Sequence, residues 1–458
     1  MTTENKQRAL FATRLGVIAA TVGSSVGLGN IWRFPYEAGT HGGGAFLVCY
    51  VGFILLLGIP VMCAEFVMGR ASRSNIFGSF RAFHRSRYWH YVGYIGIIAS
   101  LMILSFYSVV AGWTMEYCYA ALTGAFAPSM QGADFHVRFE GYTSGNWRPL
   151  MWTLIFLAIN YKVLVGGVTK GIERISNILM PILFVILVAF CVNSMLLPGV
   201  REGLTFFFRP DFSAITGSTL IGAMGQAFFS LSIGLGTMMI YASYFKAGTP
   251  LVKTAGIIAG LDTLVAVMSA MIIFPAVFSF GMTPEAGPKL VFEVLPAIFT
   301  QMPGGTLWAI LFFFLLFMAS LTSTISMSEI SIAFFMEEKG MCRRGATRLN
   351  GAIVAVFASL CALSFGCLSG FTVCGLTVFN LFDFVASNIL LPLGGMFISI
   401  FVGWVLDRRV IRRELVDDAA RGASRKVAMA VMHVLVFLLR YVAPVAILAI
   451  FLNSIGVF

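Results

Sequence analysis

The sequence predicts an all-α polytopic membrane protein with about eleven transmembrane helices, arranged as a 5+5 inverted repeat in which helices 1 and 6 are discontinuous. Three observations carry this prediction. Of 458 residues, 59% are hydrophobic and 11% charged, against roughly 45–50% and 25% in a soluble domain. Apolar stretches able to cross a roughly 30 Å hydrocarbon core, which takes about 20 helical residues, recur from end to end. Two of them share a glycine-rich interruption, Val26-Gly27-Leu28-Gly29 and Ile233-Gly234-Leu235-Gly236, five helices apart.

Taken in order, the spans are expected near 13–38, 45–69, 90–123, 149–165, 174–197, 215–244, 252–281, 305–336, 348–366, 376–406 and 428–456. The first carries "GSSVGLGNIWRFP" and the sixth "GQAFFSLSIGLGT". Freed backbone groups need partners in a bilayer, so broken helices persist there only where they line a cavity. Glycine-interrupted spans in matching positions of two halves mark the binding site of inverted-repeat transporters; close helix packing through small residues is the other reading of each run alone. The fifth span holds Pro181, ten residues after Gly171, and the seventh holds Asp262, a mid-span carboxylate that costs roughly 2.5–3.5 kcal/mol to insert. In the eighth, Ala319, Thr322 and Ser323 share one helix face at i, i+3 and i+4. Such hydroxyls can face a ligand or bond back to their own helix. The loop from Pro284 to Pro303 holds the amphipathic "KLVFEVLPAIF", long enough for an external lid or a surface helix. The expected organisation is therefore a cytoplasmic segment 1–12, five-helix repeats 13–198 and 199–407, a cytoplasmic loop 408–427 and a last helix 428–458.

The net charge of +11 is dispersed over many loops, whereas a nucleic-acid surface needs a clustered basic face. Alternate loops on one side hold only Arg138, Arg148, Arg201, Arg209 and Lys289; Arg33 and Arg440 fall within spans, and the remaining 24 of the 31 Lys and Arg lie on the other side. The positive-inside rule then places the N-terminus in the cytoplasm and, with eleven spans, the C-terminus outside. The eight cysteines form no CxxC pair and the five histidines lack ligand spacing, so neither a thiolate nor an imidazole metal site is expected. No nucleophile elbow or phosphate loop occurs, and the protein is not expected to be an enzyme.

The stretches "ATRLGVIAATVGSSVGLGNIWRFPYEAGTHGGGAFLVCY", "GIPVMCAEFVMGR", "GQAFFSLSIGLGTMMIYASY" and "MASLTSTISMSE" resemble the first, second, sixth and eighth helices of the neurotransmitter:sodium symporters, and the eleven-span count is that of several bacterial members of that family. The resemblance implies a sodium-coupled symporter that imports an amino acid by alternating access across the bacterial cytoplasmic (inner) membrane. It implies two sodium sites: Gly23, Val26, Ala319, Thr322 and Ser323 in one, and Ser25, Asn30, Ser230 and Asp262 in the other. Chloride-dependent relatives surround the anion with residues matching Tyr50, Gln226 and Ser230 plus a serine where this chain has Ala266. Asp262, one turn earlier, is expected to supply that negative charge, so chloride is not expected to be required.

For the substrate, the resemblance implies Gly29 and Tyr107 at the carboxylate and Ser25, Phe229, Ser230 and Ser232 at the amine. Ser24, Leu28, Ile103, Phe229, Leu235, Ser323 and Met327 complete the pocket. Its mostly apolar lining without a counter-ion favours a hydrophobic or aromatic amino acid. The outer gate is expected from Arg33 with Asp383, and the inner gate from Arg8 with Glu337, backed by Phe11 and Tyr244. Gly171 and Pro181 form a hinge in the fifth helix, since a helix-interior proline removes a backbone bond. Glu65 and Glu329 are read as core residues satisfying the unwound first helix. Partners are the amino acid and the lipid bilayer; a monomer is expected to suffice, with oligomers left open. The alternative is a non-transporting amino-acid sensor or an ion channel on the same scaffold.

Overall fold

In the computed structural model, residues 10–126, 129–130, 132–281, 289–417 and 425–455 are described. The first segment is two helices, Arg14–Ser25 and Gly29–Thr40, bent by 55° across the glycine-rich break. Nine continuous helices long and apolar enough to cross a membrane follow among the described residues: Gly44–Ser72, Arg87–Leu122, Trp147–Val165, Val168–Ser194, Leu251–Ser279, Gly305–Glu338, Arg343–Leu363, Val378–Val405 and Arg425–Ser454. Between the fifth and seventh spans, the sixth segment is again two helices, Gly217–Ser230 and Thr237–Ser243, around an unwound stretch 231–236. The two breaks lie five spans apart, and an odd offset reverses the sense of crossing, so the halves run inverted.

Small side chains explain how the broken segments sit so deep. The third and eighth spans pack on each other at the centre of the fold; 78% of the most apolar stretch of each is buried, against 28–56% for the other continuous spans. Gly69 of the second span lies so close to the Met239 carbonyl that a Cβ would overlap it. Gly96 of the third span likewise faces the Leu235 carbonyl, where a Cβ would stand 2.6 Å away. Backbones meeting this closely replace, in a bilayer, the hydrophobic drive that packs helices in water.

Of the expected external lid, the described part is the helix Leu290–Gln301, and residues 282–288 lie outside the described residues. Phe292 is fully buried, stacked on Phe139 at 5.2 Å and edge-on to Tyr117 at 5.0 Å and Trp113 at 5.8 Å. The segment is thus an aromatic plug over the third span, not a loose surface helix.

Candidate functional site

The site forms where the two breaks meet. Helix Arg14–Ser25 ends at Val26, whose backbone turns extended (φ −67°, ψ 113°). In the sixth segment the chain passes through left-handed Ser232 (φ 51°), Gly234 (φ 91°) and Gly236 (φ 78°) before Thr237 restarts the helix. A Cβ on Gly234 would stand 2.6 Å from the Leu391 carbonyl oxygen, so glycine is needed both for conformation and for room. A non-glycine residue at positive φ is uncommon and held by its surroundings: the Ser232 hydroxyl donates to the Ser24 carbonyl at 3.1 Å, tying one break to the other. Two helix C-termini, at Ser25 and Ser230, and two helix starts, at Gly29 and Thr237, converge here. The carbonyl-bearing ends suit cations and the amide-bearing ends suit anions.

Of the expected substrate residues, Ser25, Gly29, Ile103, Tyr107, Phe229, Ser230, Ser232, Leu235, Ser323 and Met327 line one cavity, joined by Gly27, Asn30 and Leu391. Ser24 and Leu28 stand one layer behind. Ser24 lends its carbonyl to Ser232, and the Leu28 N–H donates to the Tyr107 hydroxyl at 3.0 Å. A Cβ on Gly29 would stand 2.7 Å from the Phe229 ring, so a larger residue there would displace that ring. Leu391 was not foreseen. Its signal lies in the "LPLGG" that follows, where a Cβ on Gly394 would overlap the Gly234 carbonyl.

Asp262 is fully buried beside Asn30, Ser230 and Tyr50. Its carboxylate accepts from the Ser230 hydroxyl at 2.5 Å, from Asn30 Nδ2 at 2.9 Å and from the Tyr50 hydroxyl at 3.4 Å. Asn30 Oδ1 accepts the Gly27 N–H at 3.0 Å, so the side chain also braces the break. Gln226 donates to the Gly29 carbonyl at 3.0 Å. Two buried oxygens, Ser24 Oγ and Gln226 Oε1, have no protein partner among the described residues. A buried carboxylate beside a hydroxyl and an amide, with no Lys, Arg or His paired to it among the described residues, fits a hard monovalent cation.

The eighth-span face is brought to the first break. The Ser323 hydroxyl donates to the Val26 carbonyl at 3.2 Å, and Gly23 faces Thr322, where a Cβ would stand 3.3 Å from Thr322 Cβ. Thr322 itself donates back to Met318 and Ala319 at 3.2 and 3.1 Å, so it bonds to its own helix while Ser323 reaches across to the first.

The gates differ in part from expectation. Among the described residues Arg33 does not pair with Asp383: it lies 3.6 Å from Glu37, one turn along its own helix, and its guanidinium caps the Phe229 ring at 4.6 Å. Asp383 accepts instead from Ser387, also one turn away, at 2.9 Å. On the inner side Arg8 lies outside the described residues, and Glu337 accepts the Asn75 N–H at 2.7 Å. Phe11 and Tyr244 do meet, ring to ring at 6.0 Å and through the Phe11 N–H to the Tyr244 carbonyl at 3.1 Å.

Neither glutamate read as supporting the first helix does so. Glu65 accepts the Gly234 and Met239 N–H groups at 2.7 and 3.2 Å and so caps the sixth break. Glu329 accepts from both guanidinium ends of Arg343, at 2.7 Å each, and from the Tyr244 hydroxyl at 2.7 Å. The carboxylate that does cap the first helix was missed. Glu173, two residues after Gly171, accepts the Ala12 and Thr13 N–H groups at 2.9 and 3.1 Å. Pro181 sits inside the unbroken helix Arg174–Ser194.

With this geometry the chain can be compared with known proteins. The model of the Sodium:neurotransmitter symporter family matches residues 8–136 and 142–458. The crystal structure of MhsT in complex with L-phenylalanine is 41% identical, superposes with a TM-score of 0.88, and covers 98% of this chain and 100% of its own. The sodium-dependent transporter YhdH of Bacillus subtilis is 36% identical over 98% of each chain. The serotonin transporter of Drosophila melanogaster is 26% identical over 78% of this chain and 64% of its own. The paired broken helices and the match over nearly the whole length agree: this chain is a bacterial member of the sodium:neurotransmitter symporter family, a family of transporters and not of enzymes.

Proposed function

We propose that the protein imports a hydrophobic or aromatic α-amino acid together with sodium, by alternating access across the bacterial cytoplasmic membrane, with its N-terminus inside and its C-terminus outside. One observation carries the reading: four helix ends of both polarities converge on a cavity whose remaining walls, Ile103, Phe229, Leu235 and Met327, are apolar and hold no counter-ion. An α-amino acid matches that distribution, its carboxylate toward the Gly29 end and Tyr107, its ammonium toward the Ser25 and Ser230 ends. The relative solved with L-phenylalanine supports the substrate class.

Two sodium sites follow from the oxygen clusters. Asp262, Ser230, Asn30 and the Ser25 carbonyl would hold one; Gly23, Val26, Ala319, Thr322 and Ser323 would hold the other. Asp262 provides the negative charge that chloride supplies in some relatives, while Ala266 offers no hydroxyl to an anion. Sodium-gradient-driven uptake of labelled phenylalanine into proteoliposomes tests the whole reading. Uptake is expected to require the gradient and to persist when gluconate replaces chloride. Uptake indifferent to sodium defeats the symporter, and collapse in gluconate defeats the role given to Asp262.

Arg33 and Phe229 form the outer lid, with Asp383 as the acid Arg33 meets on closing, and Phe11 and Tyr244 form the inner plug. The hinge at Gly171 and Pro181 lies beside Glu173, so opening the fifth helix would release the cap of the first. Pro181→Ala restores a backbone hydrogen bond worth about 1 kcal/mol net, which should slow inward release roughly fivefold while equilibrium substrate binding is kept. Exchange and binding assays on one preparation separate the two, and an unchanged exchange rate counts against the hinge.

A further inference from the structure

The last span carries an arginine that neither the binding site nor the gates use. Arg440 lies within Arg425–Ser454. Its Nε donates to the Gly403 carbonyl at 2.8 Å and its guanidinium lies 4.6 Å over the Trp404 ring, while Trp404 Nε1 donates to the Arg440 carbonyl at 3.0 Å. These contacts pin it beside the end of the tenth span, which stops at Leu406 just before Asp407 and Arg408.

Arg408 and Arg440 line one groove with Ile411, His433, Phe437 and Tyr441. On the last span His433, Phe437, Arg440 and Tyr441 fall at i, i+4, i+7 and i+8, a single helix face. Among the described residues neither groove arginine is paired with a carboxylate, although Arg413 and Arg425 nearby reach Glu414 and Asp417 at 3.2 and 3.5 Å. An intramembrane charge without an acid to neutralise it is costly and marks a site. The groove opens onto an apolar, aromatic wall: Trp404, Phe437 and Val434 are 55, 56 and 58% exposed. A soluble anion would need the arginines but not that wall, and an apolar partner helix would need the wall but not the arginines.

We propose that this groove binds the headgroup phosphate of an anionic phospholipid of the cytoplasmic leaflet, with Arg408 and Arg440 on the phosphate and the acyl chains along Phe437, Val434 and Trp404. Basic pockets between helices on the cytoplasmic side take such headgroups, and arginine matches phosphate geometry with two parallel donors. The choice of leaflet rests on the orientation proposed above; binding itself does not.

The test is native mass spectrometry of the full chain in mild detergent with added phosphatidylglycerol or phosphatidylcholine. One phosphatidylglycerol per chain is expected to survive activation that strips phosphatidylcholine. Arg408→Glu, Arg408→Gln and Arg440→Gln should each weaken its retention roughly fivefold or more, and Arg412→Glu, outside the groove, should not. Arg408 is exposed, so its two variants decide the matter even if Arg440→Gln does not fold. Equal retention of the two lipids, undiminished retention by the Arg408 variants, or an equal loss in Arg412→Glu overturns the proposal. Displacement of phosphatidylglycerol by inorganic phosphate would mark a soluble-anion site and overturn it too.

Discussion

Asp262→Asn is expected to fold and to lose most sodium-driven uptake, through a fall of roughly ten- to hundredfold in apparent sodium affinity. The figure follows from the donors around the carboxylate. Ser230, Asn30 and Tyr50 all point hydrogens at Asp262, and among the described residues no Lys, Arg or His pairs with it. A buried carboxylate met only by neutral donors still has its full charge to offset, and a bound cation offsets it. Asparagine keeps the volume but removes the charge and turns an N–H₂ toward either Asn30 or the Ser230 and Tyr50 hydroxyls, and interactions with charged groups contribute about 1.5–3 kcal/mol each. The sodium dependence of uptake, read beside thermal melting in detergent, separates the affinity loss from a folding defect. Wild-type sodium affinity in the variant would remove Asp262 from the site. If the same charge stands in for chloride, combining Asp262→Asn with Ala266→Ser should make uptake respond to chloride.

Much of this site was legible because it departs from what a membrane span normally contains. Glycines at 23, 27 and 29 and at 234 and 236 have no place in an uninterrupted apolar helix, and their repetition after five spans located both halves of the cavity. Charged residues proved harder. Glu65, Glu173 and Glu329 each stand out as intramembrane or near-membrane acids, yet the partner of each lies on another segment: Gly234 for Glu65, Thr13 for Glu173, Arg343 for Glu329. Period and composition give the face a residue occupies, not which neighbouring helix end is short of an acceptor. The outer gate shows the same limit. Arg33 finds Glu37 four residues away and Asp383 finds Ser387 four residues away, local contacts that compete with the long-range pair. Leu391 reaches the cavity only because glycines at 394 and 234 allow two backbones to touch, a coincidence of distant positions that no local pattern states.

Glu65→Ala should cost more folded protein than any change of a cavity-lining side chain. Only the ends of the stretch 231–236 bond helically, the Leu231 N–H to the Ala227 carbonyl and the Gly236 carbonyl to Ile240, and Glu65 supplies acceptors to one N–H within it, at Gly234, and one in the helix that follows, at Met239. Glu65 is fully buried, so alanine would leave both donors without protein or water. At about 1–3 kcal/mol for each buried group left unpaired, the loss is roughly 2–6 kcal/mol, a large part of a typical folding free energy of 5–15 kcal/mol. Ser232 and Leu235 ride on this stretch and line the cavity, so substrate binding should weaken along with stability, and saturating substrate should recover part of the melting temperature because it binds only the ordered form. Glu65→Gln, which keeps one acceptor but turns an N–H₂ toward the second donor, should fall between wild type and alanine. Alanine and wild-type proteins that melt alike, with equal substrate affinity, would show that the sixth break holds its shape without the cap, and the polarity of the site would then rest on the helix ends alone.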